Sequence, residues 1–339
     1  MFVRYNLRIK SRLQTPLQSD SIFGRLCWAV RDLEGESALG ELLEAMQQDK
    51  PPLLFSSGMP HDFLPRPVLP PPSRKFTRKL ALEIGGSAPG APENEQGRMF
   101  LGLSRIKKLM KQEWVSVKNW PILKSSLNSE SLLQCLAQEK NTPKSFEAQA
   151  VSRAHVSLSR LTHTVLEPGG LYFTREQWYE SDALLDVYCW FQDSSWRDLW
   201  ERAWNQVITP VGFGQDKSTG AGHLELNQDE SFNPELFEQE SPNAWMSLSH
   251  AAFERFPETG CWYKPMLKLG KLGGDFAVHG PDGGRANPFK KPVIMQTPGS
   301  VLADKKSPVG RLLSGVHADT RIRHSGLCLC IPFVYGGAA

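Results

Sequence analysis

Along the first ten residues, apolar and polar positions alternate. Val3, Tyr5, Leu7 and Ile9 face one way and Arg4, Asn6, Arg8 and Lys10 the other. That is the period of a half-buried strand with one apolar and one largely basic face. After a turn over residues 11–20 the period changes. Ile22, Leu26, Ala29 and Leu33 share one face of a helix, with Ser19 or Asp20 as its N-cap. A second short helix is expected near Ala38 to Met46. The proline-rich residues 51–72, with Phe63-Leu-Pro-Arg-Pro-Val-Leu-Pro-Pro, can form neither a central strand nor a helix, because proline lacks an N–H and fixes φ.

Further along, residues 85–97 are rich in Gly and Pro and read as a mobile loop. Residues 152–173, with Pro168-Gly-Gly170, predict a strand and turn that bring the chain back to the sheet. Leu185, Val187, Cys189 and Phe191 alternate as another strand. Trp196, Leu199, Trp200, Ala203 and Val207 then fall on one helical face, with Ser195 and Asp198 spaced as a capping box. The tryptophans read as helix-to-sheet packing. Residues 1–230 thus run βα…ββαβ, a ferredoxin-like order with a long insertion. An acidic connector, residues 225–242, leads to a smaller, strand-rich second domain. Its strands are expected at 246–250, 262–269, 292–296 and 327–334, separated by glycine loops at 270–274, 280–284 and 299–300.

The 339 residues are 40% hydrophobic and 22% charged, an ordinary globular balance. Apolar runs are too short to cross a membrane, and the N-terminus lacks a signal peptide's apolar block, so a cytoplasmic protein is expected. Cysteines 27, 135, 189, 261, 328 and 330 include no Cys-x-x-Cys, so neither zinc nor a disulfide framework is indicated, and no cofactor is expected. The net charge of +3 hides a segregation. Residues 74–124 hold 11 basic against 4 acidic residues, and residues 264–323 again hold 11 against 4. Local excess of this size suits a polyanion. The basic clusters Arg74, Lys75, Arg78, Lys79 and Arg105, Lys107, Lys108, Lys111 flank the Gly/Pro loop. They read as two basic arms around a flexible tip, with too few apolar residues for a core.

The densest candidate chemistry is Gly212-Phe-Gly-Gln-Asp-Lys-Ser-Thr-Gly-Ala-Gly222. Gly212, Gly214, Gly220 and Gly222 can lay backbone amides against a phosphate, Lys217 adds a charge, and Ser218 and Thr219 add donors. Two familiar phosphate loops are excluded by spacing. Asp216 stands where a nucleotide-triphosphate loop needs glycine, and Lys217 where the dinucleotide fingerprint needs it. On composition alone, a plain loop entering a strand remains equally open.

Five stretches in order resemble a known family: Leu17-Gln-Ser-Asp-Ser-Ile-Phe-Gly-Arg-Leu-Cys-Trp-Ala29, Phe63-Leu-Pro-Arg-Pro67, Ser159-Arg-Leu-Thr-His163, the glycine loop, and Asn287-Pro-Phe-Lys-Lys-Pro292 with Gly299-Ser300. Together they resemble the Csm-type RAMP subunit of type III-A CRISPR effector complexes, the subunit that caps the guide RNA's 5′ end. The resemblance implies an α+β fold of two ferredoxin-like (RRM-like) domains, residues 1–230 and 240–339, with the long basic insertion in the first. It implies a non-catalytic subunit that binds the repeat-derived 5′ tag of CRISPR RNA and meets target RNA only indirectly. The large polymerase–cyclase subunit and a backbone RAMP subunit are its implied protein partners. It assigns the glycine loop to RNA phosphate and adds Ser19, Arg25, Arg160, Lys290 and Lys291 as RNA-binding residues. The insertion matches by position an element that wedges between tag and guide, where Phe76, Met99, Phe100 or Leu101 could serve as wedge. Ala221 stands where the family often has a second basic residue, which loosens the expected grip.

Three rival functions differ in what they need. A guide-processing endoribonuclease needs a general base, for which His61, His155 and His163 are candidates. A backbone subunit with target-RNA nuclease activity needs a loop aspartate, and Asp20 sits where a helix cap belongs. A free-standing single-strand RNA-binding module needs no partner.

Overall fold

The computed structural model describes residues 1–139, 148–165, 170–181, 183–253, 255–257, 260–278 and 287–337. Strand β1 (Phe2–Ile9) forms as its alternation requires, with Val3, Tyr5, Leu7 and Ile9 all buried. Helix α1 (Ser19–Ala45) carries Ile22, Leu26 and Ala29 into the same core. The two expected helices are one bent element, broken at Gly35, whose φ of 89° is open to glycine. Its N-cap is Gln18, not Ser19 or Asp20. Both of those lie in the first turn and are buried, because their side chains bond to the second half of the chain.

Short strands β2 (Leu53–Phe55), β3 (Met59–Pro60) and β4 (Phe63–Pro65) follow. β4 lies outside the central sheet and pairs only with β5 (Trp114–Ser116), after helices α2 (Arg74–Gly86) and α3 (Glu95–Leu109). Those two helices replace the expected mobile loop. Gly85, Gly86 and Gly97 are helical, and only residues 87–94 connect. Leu80, Ala81 and Ile106, with Phe76, Ile84 and Met99, form the small core that composition did not promise. Helices α4 (Trp120–Leu123) and α5 (Ser129–Gln138) complete this region, and Leu133 of α5 closes that core.

Strands β6 (Gln149–Val156) and β7 (Leu171–Trp178) form a two-stranded ribbon outside the central sheet, with Gln177 of β7 also bridged to Leu13. Sequence placed this stretch in the sheet. It cannot join, because nearly every position of β6 is exposed and the strand has no apolar face to bury. Part of its expected Pro168-Gly-Gly170 turn lies outside the described residues.

Strand β8 (Leu184–Phe191) is the buried strand its alternation predicts. Helix α6 (Ser194–Arg202) is capped by Asp193, whose carboxylate accepts from the Ser195 and Trp196 amides, and not by Ser195. A π-helical turn, Ala203–Ile208, prolongs it and sets Trp204 beside Trp200 in the core. Strand β9 (Leu224–Gln228) completes the central antiparallel sheet, in the order β2–β8–β1–β9 with β3 on β8. Helices α1 and α6 cover one face. On the other, Phe2, Tyr188 and Trp190 enter a second core.

The strands that follow are β10 (Ala244–Ser247), β11 (Cys261–Trp262), β12 (Pro265–Lys268), β13 (Val293–Gln296), β14 (Val301–Leu302), β15 (Gly310–Leu313), β16 (His324–Leu327) and β17 (Cys330–Phe333); β10, β11, β14 and β17 supply that second core, whereas Leu312 and Leu327 of β15 and β16 join the first. The four-stranded sheet runs β11–β14–β10–β17, while β12–β13 and β15–β16 are separate ribbons. Among the described residues after 240 there is no α-helix, only a 3₁₀ turn at Gly274–Ala277. Trp120, Leu132 and Leu136 of α4 and α5 fill that role against Met246, Ile331 and Phe333. The acidic connector is anchored too. Phe232 and Phe237 pack on Tyr188, and the Lys124 ammonium donates to the Glu235, Leu236 and Glu238 carbonyls. The expected loop at 280–284 lies outside the described residues. None of the described helices is long and apolar enough to cross a membrane.

Helices α2 and α3 touch backbone to backbone. A Cβ on Gly102 would lie 1.8 Å from the Ala81 carbonyl oxygen, and one on Gly85 2.0 Å from that of Arg98. Gly102→Val is expected to destabilise this helix pair by about 1–3 kcal/mol. Hydrogen exchange should then show lost protection over residues 74–110 with β1 and β8 unchanged.

Candidate nucleic-acid interface

The glycine loop is a folded turn laid on the segment after β1. Gly212, Gly214, Gly220 and Gly222 all have positive φ, between 74° and 95°, as does Asp216 at 57°. Phe213 plugs the core at 1% exposure. The Phe213 amide donates to Gly222, the Gly222 amide to the Arg12 carbonyl, and the Gln215 amide to the Thr15 hydroxyl. The amides of Thr219, Gly220 and Ala221 bond back to Asp216 or Lys217. Much of the expected cradle of amides is therefore used inside the loop. A Cβ on Gly222 would meet the Phe213 carbonyl oxygen at 1.9 Å, and one on Gly214 would meet Thr15 at 2.5 Å. These two glycines let the loop close on itself before any ligand is considered.

What the loop presents outward is charge. Lys217 stands near Arg25 of α1. Burial first, and the Arg25 guanidinium second, hold the Lys217 ammonium below the ordinary lysine value, with Asp32 opposing. Arg25 is lowered by its own burial. It donates to the Val207 carbonyl at 3.4 Å, and its Nε is buried without a hydrogen-bond partner. Two cations half-removed from water and set close together are an arrangement an anion relieves. Ser218 and Thr219 are exposed on the same turn, and Arg12 donates to the Thr219 carbonyl at 3.4 Å.

Arg12 also ties this loop to the β6–β7 ribbon, through the buried carboxylate of Glu176 at 2.9 Å. The ribbon is the feature sequence reasoning missed. It exposes Leu161 at 94% and Phe173 at 65%, with Tyr172, Arg153, Arg160 and Arg175 also exposed. His155 stacks on Tyr172, ring centroids 5.1 Å apart. An alternation with no consistently apolar face was the available signal.

The other expected residues divide. Arg160 is exposed on the ribbon. Ser19 is 2% exposed and bonds His250 at both the carbonyl and the amide, so it is withdrawn from solvent. Lys290 is turned inward to the Arg323 carbonyl at 2.7 Å, and burial lowers its ammonium. Lys291 is exposed and donates to the Gly315 carbonyl. Arg74, Lys75, Arg78, Lys79, Arg105, Lys107, Lys108 and Lys111 are all exposed on or beside α2 and α3. Of the expected wedge residues, Phe76 and Met99 pack inside that helix pair, while Phe100 is 78% exposed.

Of the three candidate bases, His61 is the one set against a buried carboxylate. Its Nδ1 lies 2.9 Å from Asp186, a fully buried carboxylate that also accepts from Asn6 and from the Asp62 amide. The Arg4 guanidinium binds Asp62 at 2.8 Å and reaches Asp186 at 3.5 Å and Asp229. His61, Asp62 and Asp186 could offer ligand atoms within 4.8 Å of one another, but Arg4 already stands among them as the countercharge. His163, with a φ of 54°, belongs to the exposed turn of the ribbon.

No protein-family model and no curated protein sequence matches the chain. Solved structures do. The chain has the fold of a RAMP-type subunit of type III-A CRISPR complexes. The subunit shared by the Csm1–Csm4 and Csm3–Csm4 assemblies it matches is Csm4. A Csm1–Csm4 cassette in complex with cA4 gives a TM-score of 0.56 at 16% identity, covering 99% of each chain. The cassette with AMPPNP gives 0.52 at 16% identity, covering 98% of each. A Csm3–Csm4 subcomplex of the type III-A interference complex gives 0.55 at 13% identity, covering 97% of this chain and 99% of that one.

The His61 network makes stability depend on pH. The hydrogen bond to Asp186 raises the imidazole above its ordinary value of 6.5. A raised folded value means the contribution is complete below about pH 6.5 and is lost as pH rises through the folded pKa. In urea unfolding from about pH 6 to about pH 9, the wild type should lose this contribution, and His61→Gln should lack that part of the slope.

Proposed function

We propose that the chain is a non-catalytic RNA-binding subunit of a type III-A CRISPR interference complex, acting in antiviral defence. It holds the repeat-derived 5′ tag of CRISPR RNA, bridges the large polymerase–cyclase subunit to a backbone RAMP subunit, and meets target RNA only through the guide. The observation that carries this reading is the end-to-end match to Csm4 in structures whose names pair it with Csm1 and with Csm3. The order β9–β1–β8–β2, with α1 and α6 on one face, supports a ferredoxin-like first domain. We read the strand-rich second half as its reduced counterpart.

The phosphate contact is Lys217 with Arg25, and the basic arms of α2 and α3 add non-specific attraction. The β6–β7 ribbon, with its exposed Tyr172, Phe173 and arginines, supplies faces on which bases stack. A second reading, a guide-processing endoribonuclease, is favoured by one observation, the His61–Asp186 pair. A base near an acid suits that chemistry, but this carboxylate is committed to Arg4 and Asn6.

Two experiments separate the readings. Lys217→Ala should weaken tag RNA about equally across sequences and reduce the salt slope by roughly one phosphate's worth. Gly222→Val is a poor companion, because it strikes Phe213 first. Unchanged affinity and slope for Lys217→Ala would remove the glycine loop from the interface. Precursor repeat RNA incubated with the protein, with or without divalent metal, should stay intact. Cleavage abolished by His61→Ala would install the endoribonuclease instead.

A further inference from the structure

The β12–β13 ribbon is built the wrong way round for strands that face water. Leu267 stands opposite Ile294, and they are 59% and 68% exposed. Leu269, two residues on and so on the same face, is 69% exposed. Pro265 and Pro292 are exposed on that face too, and Phe289, bridged to Lys271 beside it, is 61% exposed. The opposite face turns Met266, Lys268, Val293 and Met295 toward the body. Met295 is fully buried, and the Lys268 ammonium meets the buried Asp20 carboxylate at 2.8 Å.

A lysine therefore points in while leucines point out. A one-residue slip would reverse every side chain, yet the Asp20 contact and the burial of Met295 pin the register as it is. The apolar outer face is a fixed feature of the fold, and a contiguous exposed apolar face of this kind marks an interaction site.

We propose that this face docks a different protein chain, through an aliphatic surface rimmed by carboxylates. Charge selects the occupant. Residues 261–272 and 287–296 hold five lysines and no acid. With Lys268 and Lys290 turned inward, Lys264, Lys271 and Lys291 form an exposed basic rim. A second copy of this chain would bring the same lysines against these, since a two-fold interface sets like patches together. Nucleic acid fits poorly because leucine, isoleucine and proline offer bases no stacking face. This goes beyond the tag-binding reading and does not use the glycine loop.

The experiment places a photo-crosslinking amino acid at position 267 of the full chain in its own host, with nuclease treatment before analysis. The expected result is an adduct with another polypeptide whose linked segment is aliphatic and flanked by Asp or Glu. Paired Leu267→Asp and Ile294→Asp changes should cut co-purification of that polypeptide more than tenfold. Because both positions are exposed, the melting temperature should stay within a few degrees. Paired Leu267→Thr and Ile294→Thr changes give the same readout should aspartate loosen the ribbon. An adduct with a second copy, a nuclease-sensitive adduct, no adduct, or undiminished co-purification overturns the proposal. RNA is measured in the same preparation. A protein adduct without RNA counts against tag binding and leaves the docking face standing; RNA without an adduct does the reverse.

Discussion

The Asp20–Lys268 pair sets the geometry on which both candidate surfaces depend. Asp20 sits in the first turn of α1, 7% exposed, and its partner comes from β12, nearly 250 residues further on. Gln18 and Ser21 also accept from the same ammonium. Around it the Ser19 amide donates to Ser57, and Ser57 bonds His250 at 2.8 Å. His250 and His324 are both pushed down to about 4, first by burial, so the knot is built from neutral imidazoles. Removing one member of a buried ion pair leaves the other charge uncompensated. Here the loss would free both the start of α1 and the register of the ribbon.

Internal pairing also explains why formal charge misleads in this chain. The alternation of β1 sets Arg4, Arg8 and Lys10 on one face. Arg4 is buried among Asp62, Asp186 and Asp229, with its guanidinium over the Phe232 ring, and Lys10 lies 3.2 Å from Glu225. The basic excess of residues 264–323 is likewise partly spent inside, on Asp20 and on the Arg323 carbonyl. Residues 74–124 differ. Their helices need only Leu80, Ala81, Ile106 and their neighbours to pack, so both rows of basic side chains stay in water.

Much of the fold was legible because it rests on local periodicity. β1, β8, the face of α1 and the buried Trp200 of α6 follow from alternation and helical spacing, which burial enforces directly. Ends and partners were less legible. Ser19 and Asp20 have the chemistry of N-caps, yet Gln18 occupies that position, since long-range bonds to His250 and Lys268 outweigh the local preference; at α6 the cap is Asp193, a residue of equal capping chemistry two positions before Ser195. Gly85 and Gly97 read as loop residues, but absence of a Cβ also lets Gly85 touch the backbone of α3 and lets Gly97 pack under Pro92 and Asn94, and sequence cannot tell these uses apart. The β6–β7 ribbon was assigned to the sheet because strands normally need one, and only its lack of a buried face argued otherwise. Of the candidate site, Lys217 and Arg25 were visible as residues. Their proximity was not, because it depends on how α1 passes the loop.

That passage makes α1 the measure between the two surfaces. Asp20 and Arg25 are five residues apart, about 7.5 Å along a helix axis. The first is held by the ribbon, and the second stands beside Lys217 of the glycine loop. Ile22 and Phe23 between them are buried, so this part of the helix has no freedom to slide without breaking the core. The chain thus places an apolar face and a cationic pair at a fixed separation. The buried ion pair that sets the ribbon's register also sets that distance.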